Sequence, residues 1–536
     1  MNSNAIQKPM LAFQLHDSKR MQSGNRLPCG LLVCAVALSR FVFRSRYLYD
    51  IDSVNYALAL DRFDPTVHQP HPPGYFLYVY LGRLARLIFH DSNTALVALS
   101  IVASCAAAAM IYVLAANWFG SRAALFAGLI FLFSPLCWFH GIVALTYILE
   151  AFFSAVVGYL CWRTYSGDNR FLLLSAIALG IAAGCRQSSI LFLGPLWLLS
   201  ARRVPRRQIL YGLLALAVTL AAWVAPMLWA SGGAGRYFAS LLALWRVAPS
   251  RATVLNSSIF ISVARFFTIM GIAGLCFGSA SLLFFRPRNE STVTTEVDRD
   301  RKLFTWVWIG PGLLFFTFVF LKYVNSGYLL VLSPPVFAWL GARAADWYAQ
   351  HPGGGYVRKR VFVGALAAAN AAGFVYAPIY CSYKSVREAE SELVGVRDAL
   401  KLMAGPGNTL IVGFDSHFLG YRHAGYYLPG FLTVQFPELS YPEGKRVFAL
   451  EGGDTRLLER LPLDRYRKFV LFPLPGGTGY DEYFKEVRRR FPEGTLTAIF
   501  VEGHEFLTGS TADLPFLFPT VAPTPAQLYT QNHSSE

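Results

Sequence analysis

Two carboxylates one residue apart, Asp50 and Asp52, head the stretch YDIDSVNYALALDRFDPTVHQPHPPGYFLYVYLGRLAR, Tyr49 to Arg86. A carboxylate held at a helix end stays ionised and fixed in direction, so it can act as a general base toward a hydroxyl group. In DSVNYALAL, Asp52 is the candidate N-cap of a short helix, accepting from an amide near Asn55. Capping alone explains an arbitrary loop Asp about as well as chemistry does, and one side chain can do both. The run HPPGYFLYVYLGRLARLIF follows, a rigid turn leading into an aromatic helix. Tyr75, Tyr78 and Tyr80 suit the headgroup depth of a membrane surface, and plain anchoring covers most of this run. His71, Arg83 and Arg86 are candidates for holding a phosphate group, although Arg83, like Arg44, is also placed to snorkel to lipid phosphate.

A third carboxylate, Glu150, stands within an apolar run. There a charge costs roughly 2.5–3.5 kcal/mol on insertion scales and usually faces the protein interior for a functional reason. The plainer alternative is an ion pair with an arginine of a neighbouring helix. Cationic candidates are Arg186 in GCRQSS, Arg246 and Arg251 in the 231–257 segment, and Lys322 in LKYVNSGYLLVLSPP.

These residues need a scaffold. Of 536 residues, 54% are hydrophobic and 15% charged, against roughly 25% charge in soluble domains. The chain therefore reads as an integral membrane protein. Its net charge is +16, but Lys and Arg gather at the ends of apolar segments, which is the membrane pattern and not a nucleic-acid face. At about 20 residues per crossing, spans fall at 27–43, 93–115, 121–139, 143–162, 171–185, 188–201, 208–230, 258–285, 303–321, 327–345 and 360–380. The fold class is thus mainly α, a polytopic helix bundle of about 11 spans. The first run lacks a small-residue cleavage site and reads as an uncleaved span.

Basic connections fix the orientation. With residues 1–26 as a cytoplasmic tail, ARRVPRRQ at 201–208 and RPRNESTVTTEVDRDRK at 286–302 fall inside only if 171–201 is a hairpin. Its tip is then Arg186 and Gln187. The segments 44–92 and 231–257, and everything after Tyr380, lie outside. Residues 27–380 form the membrane domain and 381–519 a small extracytoplasmic α/β domain. Its strands are NTLIVGFD, KRVFAL, KFVLFPL and LTAIFVEG, and its helical stretches ESELVGVRDALKLMA, DTRLLERL and DEYFKEVRRRF. Residues 520–536 are a polar tail. His417 and His423 read as structural. The eight cysteines show no CxxC spacing, so neither a disulfide framework nor a zinc site is indicated.

The first span, the acidic D-S loop and H-P-P-G-Y-x-L-Y-x-x-L-G-R-L together resemble the GT-C superfamily of membrane glycosyltransferases. The similarity is to protein O-mannosyltransferase-like members and, more distantly, to the aminoarabinose transferases of lipid A. It is best over about residues 45–190. The resemblance implies a polyprenyl-phosphate-sugar donor, a lipid, glycan or protein acceptor, and a bundle embedded among membrane lipids. It also implies a catalytic acid residue at Asp52, with Asp50 the competing choice. Close relatives often read D-S-G-E where this chain has Val54 and Asn55. Leu145 stands where O-mannosyltransferase-like members carry an acid, and Glu150 lies near an aminoarabinose-type Asp. Lys322 and Tyr323 match a basic-tyrosine pair that implies donor phosphate binding, alongside His71, Tyr75, Arg186 and Arg246. No cofactor is required, although Asp50 and Asp52 could ligate a divalent metal. The rival classes are a flippase of lipid-linked sugars and an inactive scaffold of the same fold.

Overall fold

The computed structural model describes residues 26–247, 253, 258–285, 295–349, 356–414, 416–436, 447–449, 455–457, 461, 463–472 and 487–517. Its helices are α1 Arg26–Val42, α2 Ile51–Asp61, α3 Phe76–Phe89, α4 Ser92–Phe119, α5 Ser121–Leu132, α6 Pro135–His140, α7 Tyr147–Tyr165, α8 Phe171–Cys185 and α9 Ser188–Ala201. They continue with α10 Arg206–Ala230, α11 Ala234–Val247, α12 Ile259–Phe277, α13 Glu296–Phe318, α14 Ser333–Ala349, α15 Tyr356–Tyr376, α16 Tyr383–Met403 and α17 Tyr421–Tyr427. A helix coincides with every expected span. Four segments, Ser92–Phe119, Arg206–Ala230, Ile259–Phe285 and Val324–Ala349, are long and apolar enough to cross a membrane unaided. The segment 171–201 is a hairpin, α8 and α9, turning at Arg186 and Gln187.

The alanine-rich α4 is the hub, packing against α1, α3, α5, α7 and α14. Small side chains such as Ala107, Ala108 and Ala115 let the neighbouring backbones approach, since in lipid the helices associate by close packing and not by hydrophobic exclusion. The expected third span, 121–139, is broken. Ser134 accepts from the Cys137 amide and Pro135 restarts the helix, so α5 and α6 are separate. Arg40, fully buried on α1, donates to the Leu132 carbonyl at 2.8 Å and stacks on Trp138. It thereby neutralises the carbonyl end of α5, where a cation is favoured.

The C-terminal part holds a five-stranded sheet in the order β2-β1-β5-β7-β6, from β1 Thr409–Gly413, β2 Leu432–Gln435, β5 Lys468–Leu471, β6 Thr497–Val501 and β7 His504–Ser510. Strands β2, β1 and β5 run parallel, with Val412 opposite both Val434 and Leu471, while β7 and β6 are antiparallel. Alternation splits the apolar residues between two faces. Leu410, Val412, Phe469 and Leu471 join one core, and Ile411 and Val470 meet Leu393, Val396 and Leu400 of α16 in another. The stretch DTRLLERL corrects its helical expectation. Residues Thr455–Leu457 form β4, paired antiparallel with β3 Val447–Ala449, so strand pairing overrode the local periodicity. Most of DEYFKEVRRRF lies outside the described residues.

This C-terminal part rests on the segment between α1 and α3. Glu390 of α16 accepts from the Ser45 hydroxyl at 3.1 Å and the Tyr47 amide at 3.3 Å. The Tyr427 hydroxyl accepts from the Leu48 amide at 2.8 Å, and Arg422 donates to the Val67 carbonyl at 3.1 Å.

Candidate active site

The helix α2 begins two residues earlier than a cap at Asp52 would require. Asp50 is the N-cap, its Oδ1 accepting from the Asp52 amide at 2.8 Å. Asp52 becomes the second residue of the helix, and its carboxylate is left for other partners. That corrects the expected assignment, and the reason is local: an extended Asp50 is the last residue before helical backbone begins. At the other end of α2, Arg83 donates to the Leu60 and Ala59 carbonyls at 2.9 and 3.0 Å, and Arg86 binds Asp61 at 2.7 Å. Both arginines meet the C-terminal end of α2.

Asp52 Oδ1 lies 3.1 Å from His71 Nδ1, and His71 Nε2 lies 3.0 Å from the Tyr75 hydroxyl. The turn that aims His71 has Gly74 at φ 109° and Tyr75 at φ 46°, left-handed backbone that a non-glycine residue adopts only when its surroundings enforce it. Two donors do so. The Tyr237 hydroxyl of α11 and Gln187 Nε2 both reach the Pro73 carbonyl, at 2.9 and 3.2 Å. Tyr56 closes the other side, 5.2 Å from the Tyr75 ring.

A second pair, a carboxylate with a guanidinium, stands deeper. Glu150 Oε2 is 2.9 Å from Arg186 Nε, and Glu150 Oε1 accepts from Ser188 and Ser189 at 3.3 and 3.4 Å. Arg186 also donates to Thr146 at 2.8 Å. Three tyrosine rings face its guanidinium, Tyr328 at 4.3 Å, Tyr147 at 4.4 Å and Tyr75 at 5.7 Å, all within cation–π range. Tyr147 fits because residue 327 is glycine: a Cβ there would lie 2.2 Å from the ring. Side-chain exposure separates the two pairs, 23% and 19% for Asp52 and His71 against 1% and 5% for Glu150 and Arg186.

The electrostatics part Asp50 from Asp52. Burial pushes the Asp50 carboxyl up, and the nearby His417 only partly offsets this. Burial also presses on Asp52, but His71, His417 and Arg186 together hold its carboxyl below the usual range. Two neighbouring carboxyls driven apart in this way take different roles, and Asp52 is the one kept ionised.

The other expected residues are scattered. Lys322 precedes the 3-10 helix Tyr323–Leu332, half-buried and with no ion-pair partner among the described residues. Tyr323 lies on that helix and Arg246 on α11, but their side chains, and all of Arg251, fall outside the described residues. No three His, Cys, Asp or Glu side chains converge as a metal site among the described residues. Sequence reasoning missed Thr146, Tyr147 and Tyr328, which only the helix packing assembles around Arg186. It also set aside His417, whose ring nitrogen Nδ1 lies 3.6 Å from Asp50.

The backbone as a whole superposes on ArnT from Cupriavidus metallidurans in the apo state with a TM-score of 0.53 at 14% identity. The match covers 91% of this chain and 98% of that one. ArnT bound to undecaprenyl phosphate gives 0.52 at 13% identity, over 90% and 98%. This chain has a GT-C fold. Residues 65–208, from the His71 turn through Arg186 to the start of α10, match the family model for the N-terminal domain of protein O-mannosyl-transferase TMEM260. No curated protein sequence matches the chain. Among the described residues, four helices long and apolar enough to cross a membrane make it read as an integral membrane protein.

Proposed function

We propose that this chain is a membrane glycosyltransferase that moves a sugar from a polyprenyl-phosphate-linked donor to a hydroxyl acceptor, with Asp52 as the base. One observation carries the reading. An ionised, partly exposed Asp52 stands next to His71 and Tyr75, in a GT-C bundle whose relative ArnT was solved with undecaprenyl phosphate.

In this reading Asp52 takes the proton of the acceptor hydroxyl as its oxygen attacks the anomeric carbon from the face opposite the phosphate. The bond from that carbon to the phosphate oxygen breaks, the phosphate keeps the electron pair, and the sugar's configuration inverts. His71 orients Asp52, and Tyr75 holds His71. Arg186 is already bound to Glu150 and Thr146, so it supplies a fixed positive field where charge develops on the leaving phosphate. Lys322 carries a charge no acidic side chain claims among the described residues, which suits direct contact with that phosphate. The site faces the outer side, following the basic cytoplasmic connections, and residues 381–519 form an outer domain beside it.

The test is sugar transfer in proteoliposomes from a radiolabelled polyprenyl-phosphate sugar, wild type against Asp52→Asn. Transfer by the wild type alone supports the reading. Equal rates in both remove Asp52 as the base, and lipid-sugar translocation without transfer replaces the enzyme with a flippase.

A further inference from the structure

We propose that His417, in the loop after β1, is a positioning residue through which the C-terminal sheet holds the Asp52 helix in its reactive register. The inference rests on the transferase reading for its kinetic consequence, but its geometry stands separately.

A helix start leaves several amides without intrahelical acceptors. At α2 the first of them, Ile51, donates to the His417 carbonyl at 2.9 Å. The second, Asp52, donates to the Asp50 side chain at 2.8 Å. The other oxygen of Asp50 lies 3.6 Å from His417 Nδ1. One residue from a distant part of the chain thus meets both the first amide of the helix and the carboxylate that caps the second.

The loop presenting His417 is itself braced. Ser416 Oγ donates to the Phe418 carbonyl at 2.7 Å, and the Phe414 carbonyl accepts from the Tyr421 amide at 2.8 Å. The Phe418 ring sits 4.8 Å from Tyr49 and 5.5 Å from Tyr380. Movement of β1 relative to the bundle can therefore reach α2 through His417.

The groups facing Asp50 are His417, Asp52, Tyr49 and Tyr380, and those facing Asp52 are Asp50, His68, His71, His417, Arg186, Tyr56, Tyr75, Tyr147 and Tyr328. His417 is the only one of these from the C-terminal sheet region, and it acts on both carboxylates. Without its ring the buried Asp50 carboxyl takes up a proton at higher pH, the cap weakens, and Asp52 loses a fixed direction.

The experiment compares wild type, His417→Ala and His417→Gln as full-length protein in proteoliposomes, by hydrogen exchange of a peptide spanning residues 49–56 and by transfer kinetics against pH. For His417→Ala, exchange in that peptide rises while α4 stays protected. The rate constant kcat falls on the order of tenfold, the size of a weakened cap. The donor KM stays within about twofold, as expected when orientation and not ground-state binding is lost, and the acid limb of kcat moves to higher pH. His417→Gln, whose amide can still donate to Asp50, recovers part of each effect and guards against a general folding defect. Unchanged exchange in both variants overturns the proposal, as does an unshifted acid limb with unchanged kcat. If exchange rises as stated but the wild type transfers no sugar, the transferase reading fails and the positioning role stands.

Discussion

Two acid–base pairs of similar length sit in this molecule, Asp52 with His71 and Glu150 with Arg186, at 3.1 and 2.9 Å. They differ in what surrounds them. The first is partly exposed, and its histidine passes the interaction on to Tyr75. The second is sealed, its acid sharing two serine hydroxyls and its base wrapped by three tyrosine rings. A partly exposed pair can give up its proton partner to a substrate. A sealed pair cannot, and removing one member strands the other charge in a dry interior. The lesson is that an intramembrane acid can belong to the electrostatics of a site without being its reagent.

Substitutions at each pair break or sharpen that contrast. The largest effect is expected for Asp52→Asn, where loss of a general base lowers transfer about 10²–10⁴-fold with the fold intact, measured by initial rates and unfolding of the same sample. Glu150→Gln is expected to lower stability by about 3–5 kcal/mol, the cost of breaking a buried pair. Denaturant unfolding in detergent checks it, and Glu150→Leu with Arg186→Met should recover part of the loss. A stable but inactive Glu150→Gln would reverse the contrast and make Glu150 the reagent.

The pH response comes next. Because its surroundings hold the Asp52 carboxyl below the usual range, it stays ionised through ordinary pH, and its contribution disappears only as pH falls through that lowered value. His71→Ala removes the foremost of the partners that depress it, so the acid limb of transfer moves to higher pH. The smallest effect belongs to Tyr75→Phe. It deletes one hydroxyl against His71 and is expected to cost about 1 kcal/mol, read as a fall of several-fold in kcat.

Much of this was legible in the sequence. Apolar run lengths placed a helix at every expected span, and the basic ARRVPRRQ turn selected the α8–α9 hairpin that the structure shows. Short continuous apolar runs marked β1 and β5, because strands buried on both faces read as unbroken hydrophobic segments. The acidic loop and the His-Pro-Pro-Gly turn identified Asp52 and His71 as neighbours of interest, although not which of two adjacent acids would cap. That choice depends on a single backbone step at Asp50. The arginines Arg83 and Arg86 were read as candidates for a phosphate because the oxygens they meet belong to a helix some 25 residues earlier. His417 was set aside as structural for the same reason at greater range, since nothing near it in sequence shows that it will meet Asp50. Local composition reports solvent and periodicity, whereas pairings across the fold are made by packing.

The glycine at 327 bears on how such a site could be retuned. Tyr147 rests where a side chain at 327 would be, so the width of that residue sets how closely the ring presses on Arg186. Alanine or serine there would act as a spacer, sliding the buried charge relative to the base while leaving both ionisable groups in the sequence. The gauge of the site is thus a position that contributes no side chain of its own.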